Sequence, residues 1–126
     1  MSSEAAPSKS SIGRRAEEWA AEYLESKGFR IIAKNFRTRF GEIDLIADDG
    51  GVLALVEVKY RRDESFAPAE ESLTAGKQKK LLRAGRAAAV RFGRHQNIRF
   101  DFIAMIGSAD KLEIRHYRDV FEGSDL

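Results

Sequence analysis

The stretch GEIDLIADDGGVLALVEVK, residues 41–59, carries the strongest structural signal in this sequence. Two short apolar segments flank the turn residues DDGG, which predicts a β-hairpin with strands over 37–47 and 52–60. Side chains alternate along a strand, so four charged residues share one face of this hairpin: Glu42, Asp44, Glu57 and Lys59. Charged side chains are rarely buried without a partner. This face therefore either meets water or builds a site.

The length of the turn sets which of these residues face each other. A two-residue turn at Asp49-Gly50 places Glu42 directly opposite Glu57, and a four-residue loop gives the same register. Asp44 and Glu57 are then diagonal neighbours, about 7–8 Å apart at Cα. At that distance two carboxylates can converge on one cation.

The charges on this face point to metal chemistry. Neighbouring carboxylates raise one another's pKa or recruit a cation, and a hard divalent ion relieves the repulsion between Asp44 and Glu57. Lys59 projects from the same face about 7 Å farther along the strand, where it can orient a water or stabilise charge on a phosphate. The set matches metal-assisted phosphodiester hydrolysis. The alternative is an exposed strand face, because alternating Glu and Lys are common there.

The composition limits the available chemistry. With 126 residues, of which 43% are hydrophobic and 33% charged, the chain is expected to form one folded domain. The absence of cysteine excludes thiolate chemistry, and two histidines, His95 and His116, are too few for a His-rich metal site. Oxygen ligands remain, and these favour magnesium, manganese or calcium. No apolar run approaches the roughly 20 residues of a membrane span, and a cytoplasmic protein is expected.

The rest of the chain predicts two helices and three further strands. Residues 1–11 are rich in Ser, Ala and Lys and are expected to be a disordered tail, followed by a single domain over 12–126. The remaining elements are a helix from Ile12 that ends near Gly28, a strand over 29–33, a helix capped by Thr74 that runs to about residue 92, and strands over 97–106 and 111–117. The predicted order is α-β-β-β-α-β-β, that of an α/β protein.

Positive charge is concentrated in two clusters. No acidic residue lies between residues 72 and 100, a stretch that includes the second helix. This stretch carries Lys77, Lys79, Lys80, Arg83, Arg86, Arg91, Arg94 and Arg99. A second cluster precedes the hairpin and consists of Arg30, Lys34, Arg37 and Arg39. Such local excess favours a polyanionic partner, although a solvated helix face is the alternative.

The hairpin motif resembles that of a known family. GEIDLIADDG followed by VEVKYR resembles the YraN family of bacterial proteins and, more broadly, the PD-(D/E)XK nuclease superfamily, which includes Holliday-junction resolvases and restriction endonucleases. Further matching blocks are GRRAEEWAAEYLESKGF at 13–29, NFR at 35–37, KQKKL at 77–81 and RFDFI at 99–103. The resemblance implies a restriction-endonuclease-like core with a central mixed sheet flanked by helices. Ile43 stands where the superfamily's proline would be.

The resemblance also implies roles for individual residues. Asp44 matches the metal-binding aspartate, Glu57 the second acidic ligand and Lys59 the catalytic lysine. Glu17 matches a helix-borne glutamate that many members add to the metal site; a helical wheel places it at the edge of the apolar stripe, where a surface role is the alternative. Gln78 matches a polar helix residue that often faces the active site, and a hydrogen bond at the helix end is its alternative.

These observations lead to a hypothesis of function. The leading one is a Mg²⁺- or Mn²⁺-dependent nuclease that acts on DNA rather than RNA and is directed by branched or single-stranded structure. The expected phosphate-binding residues are Arg37, Arg39, Arg61, Lys77, Lys79, Lys80 and Arg83. One alternative is a nucleic-acid-binding accessory protein with little catalysis, and another is an interaction module whose basic helix meets an acidic partner. The oligomeric state is open, with the homodimer as the form that resolvase-like members often take.

Overall fold

A five-stranded mixed sheet lies between two helices in the computed structural model, which describes residues 11–93 and 97–121. The elements are α1 (Ser11–Ser26), β1 (Arg30–Thr38), β2 (Gly41–Asp49), β3 (Val52–Arg61), a short 3-10 helix (Ala69–Ser72), α2 (Ala75–Arg91), β4 (Asn97–Ser108) and β5 (Lys111–Tyr117). The predicted element order and α/β class are confirmed. The strands lie in chain order, and only β3 and β4 are parallel.

The first helix starts and ends close to the predicted residues. It begins at Ser11, which was assigned to the disordered tail, whereas the rest of that tail lies outside the described residues. At its end the Gly28 N–H donates to Glu25 O and the Phe29 N–H donates to Leu24 O, both at 3.0 Å. Gly28 has a φ of +94°, so this is a Schellman ending that only glycine adopts without strain.

The two helices cover opposite faces of the sheet. Apolar side chains of α1 pack with Leu45, Val56 and Ile103, which share one face. Those of α2 pack with Ile46, Leu55 and Phe100 on the other face. Thr74 caps α2 as predicted, because its Oγ1 accepts the Lys77 N–H at 3.2 Å. No helix in the described part of the chain combines the length and apolar character that crossing a bilayer requires.

A glycine sets how closely α2 approaches the sheet. A Cβ atom at Gly85 would lie 2.4 Å from Phe100 Cζ and 3.1 Å from Leu55 Cδ1. We expect Gly85→Ala to lower the free energy of unfolding by about 1–3 kcal/mol, because overpacking outweighs the gain of roughly 1 kcal/mol in helix propensity. Gly76, on the same helix, has open space around it and Gly76→Ala is the control. Urea unfolding measures both variants, and wild-type stability of Gly85→Ala would contradict the close approach.

The start of the predicted hairpin was wrong. The strand expected over 37–47 is interrupted, because β1 runs on to Thr38 and a turn at Arg39-Phe40 leads into Gly41. The Thr38 hydroxyl closes this turn: it accepts the N–H groups of Phe40 and Gly41 and donates to Gly41 O at 2.9 Å. The turn residues Arg39 and Phe40 are not among the residues that typically form turns, so the sequence pattern did not locate this turn.

The turn between β2 and β3 also differs from the prediction. Asp49 pairs with Val52, so the turn residues are Gly50 and Gly51 rather than Asp49 and Gly50. Both glycines have positive φ, +60° and +96°, as a two-residue hairpin turn of this kind demands. The predicted register was therefore wrong by two residues. Because an even shift keeps each side chain on its face, the predicted charged face survives the correction.

Candidate active site

The backbone ladder between β2 and β3 stops just before the acidic pair. Its last pair toward this end is Leu45 and Val56. Beyond it, Asp44 Oδ2 accepts the Val58 N–H at 2.8 Å, so a side chain takes the place of a backbone partner. Continued by one residue, the register sets Asp44 directly opposite Glu57, and not diagonal to it as predicted. The two carboxylates thus meet where the strands cease to pair.

The surroundings of the acidic pair favour the uncharged form of Glu57. Burial raises the pKa of Glu57 to about 7, and the Asp44 charge adds to the rise while Lys77 opposes it. Direct interaction with the Asp44 side chain raises the pKa of Glu57 further. Lys77 Nζ lies 2.9 Å from Glu57 Oε2, and only 8% of the Glu57 side chain is exposed. A cation bound between Asp44 and Glu57 would relieve the repulsion between the two carboxylates.

A cleft of about 440 Å³ opens beside this pair. Its volume is in the range of small-ligand sites. Because the strand pairing has ended, residues from both faces of the sheet line it: the start of α1 on one side and the first turns of α2 on the other. Its charged lining includes Glu17, Asp44, Glu57, Lys59, Lys77 and Lys80. The four predicted residues Glu17, Asp44, Glu57 and Lys59 are brought together here.

Lys59 lies in the most regular part of the sheet. It pairs with Ala104 in the parallel ladder between β3 and β4, which fixes its backbone. Burial lowers the pKa of the Lys59 amine below its ordinary value, and the nearby charges of Arg61 and Lys77 lower it further. An amine whose cationic form is destabilised is suited to proton transfer as well as to charge stabilisation.

Two predicted contacts take a different form. Gln78 does not line the cleft; its Nε2 donates to Leu73 O at 3.1 Å, which is the helix-end hydrogen bond given as the alternative. Glu42, expected opposite Glu57, instead pairs with Arg37 across the β1–β2 ladder, with Nε and Oε2 3.7 Å apart. That expectation was wrong because the register had been displaced by two residues.

The predicted phosphate-binding cations fall into three places. Lys77 and Lys80 line the cleft, whereas Lys79 and Arg83 are exposed on the outer side of α2. Three others are not among the residues that line the cleft: Arg37 near the end of β1, Arg39 in the β1–β2 turn and Arg61 at the end of β3. Lys77 also contacts Glu57, with Nζ 2.9 Å from Oε2, a contact that was not predicted from the sequence. No local pattern could have revealed it, because the helix and strand meet only through packing.

The acidic pair fits one class of metal. Within residues 11–93 and 97–121, no three His, Asp or Glu side chains are arranged as a metal cage. Magnesium, however, is commonly held by one or two carboxylates and keeps several of its waters. Asp44 and Glu57 are hard oxygen donors that lie together at the cleft, so their chemistry suits Mg²⁺ or Mn²⁺. Glu17 stays a predicted additional ligand, buried at 4% exposure on the same cleft.

The raised pKa of Glu57 has a consequence for stability. Since its folded-state pKa of about 7 exceeds the ordinary 4.5, this group favours folding below pH 4.5 and that contribution is lost as the pH rises through 7. We expect Glu57→Gln to raise the free energy of unfolding at about pH 8 by roughly 1–3 kcal/mol, and by less at about pH 5. Urea unfolding at both pH values measures this, with the exposed Glu18→Gln as control. If Glu57→Gln were less stable than wild type at pH 8, the raised pKa assigned to Glu57 would be contradicted.

Comparison with known proteins places the chain in a family. The model of the Uncharacterised protein family UPF0102 matches residues 16–105, which contain the charged cleft residues named above. A UPF0102 protein of Symbiobacterium thermophilum is 43% identical over 112 residues, covering 87% of this chain and 95% of the relative. UPF0102 proteins of Chlorobium limicola and Geobacter sulfurreducens are each 42% identical, covering 88% of this chain and 92% and 88% of the relatives. The chain therefore belongs to the UPF0102 family, which the YraN resemblance had indicated.

Proposed function

We propose that the protein is a divalent-metal-dependent nuclease of the PD-(D/E)XK type with a restriction-endonuclease-like core. The observation that carries this proposal is the meeting of Asp44, Glu57 and Lys59 at one cleft, with the two carboxylates in contact. Two carboxylates that can bind a metal ion and an amine beside them, on adjoining strands, are the groups that metal-assisted phosphodiester hydrolysis uses. The proposed cofactor is Mg²⁺ or Mn²⁺. The proposed substrate is DNA, recognised by branched or single-stranded structure.

Each cleft residue has a distinct part in the proposed reaction. Asp44 and Glu57 would hold the ion, which when bound stabilises negative charge on the reacting phosphate and helps to activate water. Lys59, fixed on β3 beside the pair, would orient the attacking water or neutralise charge on the phosphate. Lys80, exposed at the cleft, would hold a flanking phosphate of the nucleic acid.

The outer side of α2 supplies a surface for the phosphate backbone. Lys79, Arg83 and Arg86 are all exposed on it, and no acidic residue interrupts the chain from residue 72 to 100. From Lys79 to Arg86 the helix axis advances about 10 Å, so these cations can follow a strand that leaves the cleft. A backbone contact of this type binds largely without regard to sequence.

Salt dependence tests this surface directly. If both arginines contact phosphates, the double variant Arg83→Gln/Arg86→Gln should bind duplex DNA more weakly, and the slope of log K against log[salt] should become less negative by about 1.8. Fluorescence anisotropy over a salt series measures the slope. Lys27→Gln is the matched control, since this exposed cation follows the far end of α1. An unchanged slope in the double variant would remove α2 from the binding surface.

The activity itself has a simple test. Purified protein is incubated with Mg²⁺ or Mn²⁺ and a panel of duplex, single-stranded and branched DNA, with RNA counterparts. We expect cleavage of at least one form, loss of cleavage on chelation of the metal, and no cleavage by Lys59→Met. Failure to cut any form would overturn the proposal, and cleavage that persists in Lys59→Met would remove this site from it.

A second candidate is a nucleic-acid-binding accessory protein that has this fold and little chemistry. The observation in its favour is the Lys77–Glu57 ion pair, which already supplies positive charge to the acidic pair. This candidate predicts salt-dependent binding that survives substitution of Asp44, without turnover under any of the conditions above. A cytoplasmic location and a homodimeric form stay predictions of the sequence.

A further inference from the structure

We propose that Lys77 is an internal competitor for the metal site. In the free protein the Lys77 ammonium group forms an ion pair with the Glu57 carboxylate. When metal and nucleic acid bind, the ammonium group leaves this carboxylate and pairs with a phosphate instead. Lys77 is thus a positioning residue that makes the two ligands bind cooperatively. This inference rests on the proposed function, because it assumes that Asp44 and Glu57 hold the ion.

The geometry gives Lys77 two positions from one backbone site. Its Nζ lies 2.9 Å from Glu57 Oε2, although 42% of the Lys77 side chain is exposed against 8% for Glu57. Its backbone is fixed in the first turn of α2, where the N–H is bonded to the Thr74 hydroxyl. The lysine stem has four rotatable carbons. The ammonium can therefore swing from the buried carboxylate to the open cleft while the helix stays in place.

Competition follows from the charges at the site. Asp44 and Glu57 line one cleft with Lys77, and either the Lys77 ammonium group or a divalent ion can offset the repulsion between the two carboxylates. Glu57 Oε2 cannot bind the Lys77 ammonium group and a metal ion equally strongly at the same time. The ion pair must therefore weaken metal binding in the free protein. A phosphate at the cleft is an alternative acceptor for the same ammonium. Nucleic acid therefore releases Glu57 for the metal.

Thermodynamic reciprocity makes this relation two-sided. If nucleic acid raises the affinity for the metal by some factor, the metal must raise the affinity for nucleic acid by the same factor. Lys77 carries this coupling because it is the shared group: it contacts the proposed metal ligand and lines the cleft. Without its charge the two ligands should bind nearly independently.

Lys80 provides a matched comparison. It lies one helical turn after Lys77 and also lines the cleft, but it is exposed and forms no ion pair with Glu57 in the described contacts. Substitution by methionine removes one positive charge from the same cleft in either case and keeps an unbranched stem. An effect of the lost positive charge alone should therefore appear in both Lys77→Met and Lys80→Met. An effect of the lost contact with Glu57 should appear only in Lys77→Met.

The first experiment titrates Mn²⁺ into the metal-free, nucleic-acid-free protein by calorimetry. We expect Lys77→Met to lower the Kd for Mn²⁺ by about tenfold, the size of one charge-assisted hydrogen bond, and Lys80→Met to change it by less than about twofold. Equal shifts in the two variants would overturn the inference and leave the proposed function standing. No Mn²⁺ binding by wild type or Lys77→Met would overturn the proposed function itself, and this inference with it.

The second experiment measures the coupling. In a Lys59→Met background, chosen to prevent cleavage, Mn²⁺ is titrated with and without a short DNA duplex. We expect the duplex to tighten Mn²⁺ binding several-fold, roughly as the same hydrogen bond predicts, and this tightening to disappear when Lys77→Met is added. Coupling that persists at full size without the Lys77 charge would show that another group carries it and would overturn the inference.

Discussion

Replacing Asp44 with asparagine is expected to lower the rate of metal-dependent cleavage by about 10³-fold. Asp44 and Glu57 are the two carboxylates proposed to hold the ion, so loss of the Asp44 charge would leave Glu57 as the remaining ligand of this pair. The fold should survive, because the asparagine carbonyl oxygen can still accept the Val58 N–H that Asp44 Oδ2 accepts at 2.8 Å. The variant thus separates the chemistry of the site from its architecture.

Single-turnover cleavage with Mn²⁺ measures the rate, and Mn²⁺ calorimetry measures the loss of the ligand. Asp110→Asn is the matched control, since Asp110 is an exposed carboxylate in the turn between β4 and β5. Binding of nucleic acid should fall little in Asp44→Asn, because the cations of α2 are untouched. Cleavage at the wild-type rate by a folded Asp44→Asn protein would end the case for this site.

The largest effect on stability is expected away from the cleft, at Asp101. Its side chain is fully buried and accepts from Arg99 Nε at 2.8 Å and Nη2 at 2.9 Å, and from the Asp119 N–H at 3.1 Å. His116 Nε2 lies 2.9 Å from Asp101 Oδ2. Asp101→Ala should lower the free energy of unfolding by about 3–5 kcal/mol, because the variant loses a buried acceptor shared by Arg99 and His116. Among the described residues, Arg99 then keeps only the Asp49 carboxylate, whose Oδ2 lies 3.0 Å from Arg99 Nη1.

Thermal and urea unfolding measure this loss. For a chain of this size the expected decrease in Tm is roughly 10–20 °C. Asp110→Ala, at an exposed position, should stay within about 0.5 kcal/mol of wild type. None of the Asp101 partners lines the cleft, so cleavage per folded molecule should be unchanged at temperatures where the variant is folded. A small change in stability would contradict the assigned network.

The pH dependence of the Asp101 effect follows from its pKa. Burial alone would raise the pKa of Asp101, but hydrogen bonds from His116, Arg99 and the Asp119 N–H outweigh it and the pKa is lowered from 3.8. A lowered folded-state pKa means that the stabilisation is present above pH 3.8 and is lost as the pH falls through the folded-state pKa. The stability difference between wild type and Asp101→Ala should therefore shrink only in strong acid.

Local patterns in the sequence determined the elements and their faces. Gly28 ends α1 in a left-handed turn and Thr74 begins α2 as a cap, because such signals act through hydrogen bonds within a few residues. Strand alternation likewise placed Asp44, Glu57 and Lys59 on one face, and this survived an error of two residues in the register. The confirmed element order rests on the same short-range effects.

Which of these residues meet depends on long-range packing, which local patterns do not specify. The glycines of the β2–β3 turn set Asp44 opposite Glu57, a choice between turns that the run DDGG leaves open. Packing of two helices on opposite faces then brought Glu17 and Lys77 to one cleft, while Gln78 turned to the backbone of Leu73. Asp101 likewise meets His116 on β5 and the backbone N–H of Asp119 just after that strand. Such contacts join residues far apart in sequence, and their free energy depends on how the whole core packs rather than on local preference.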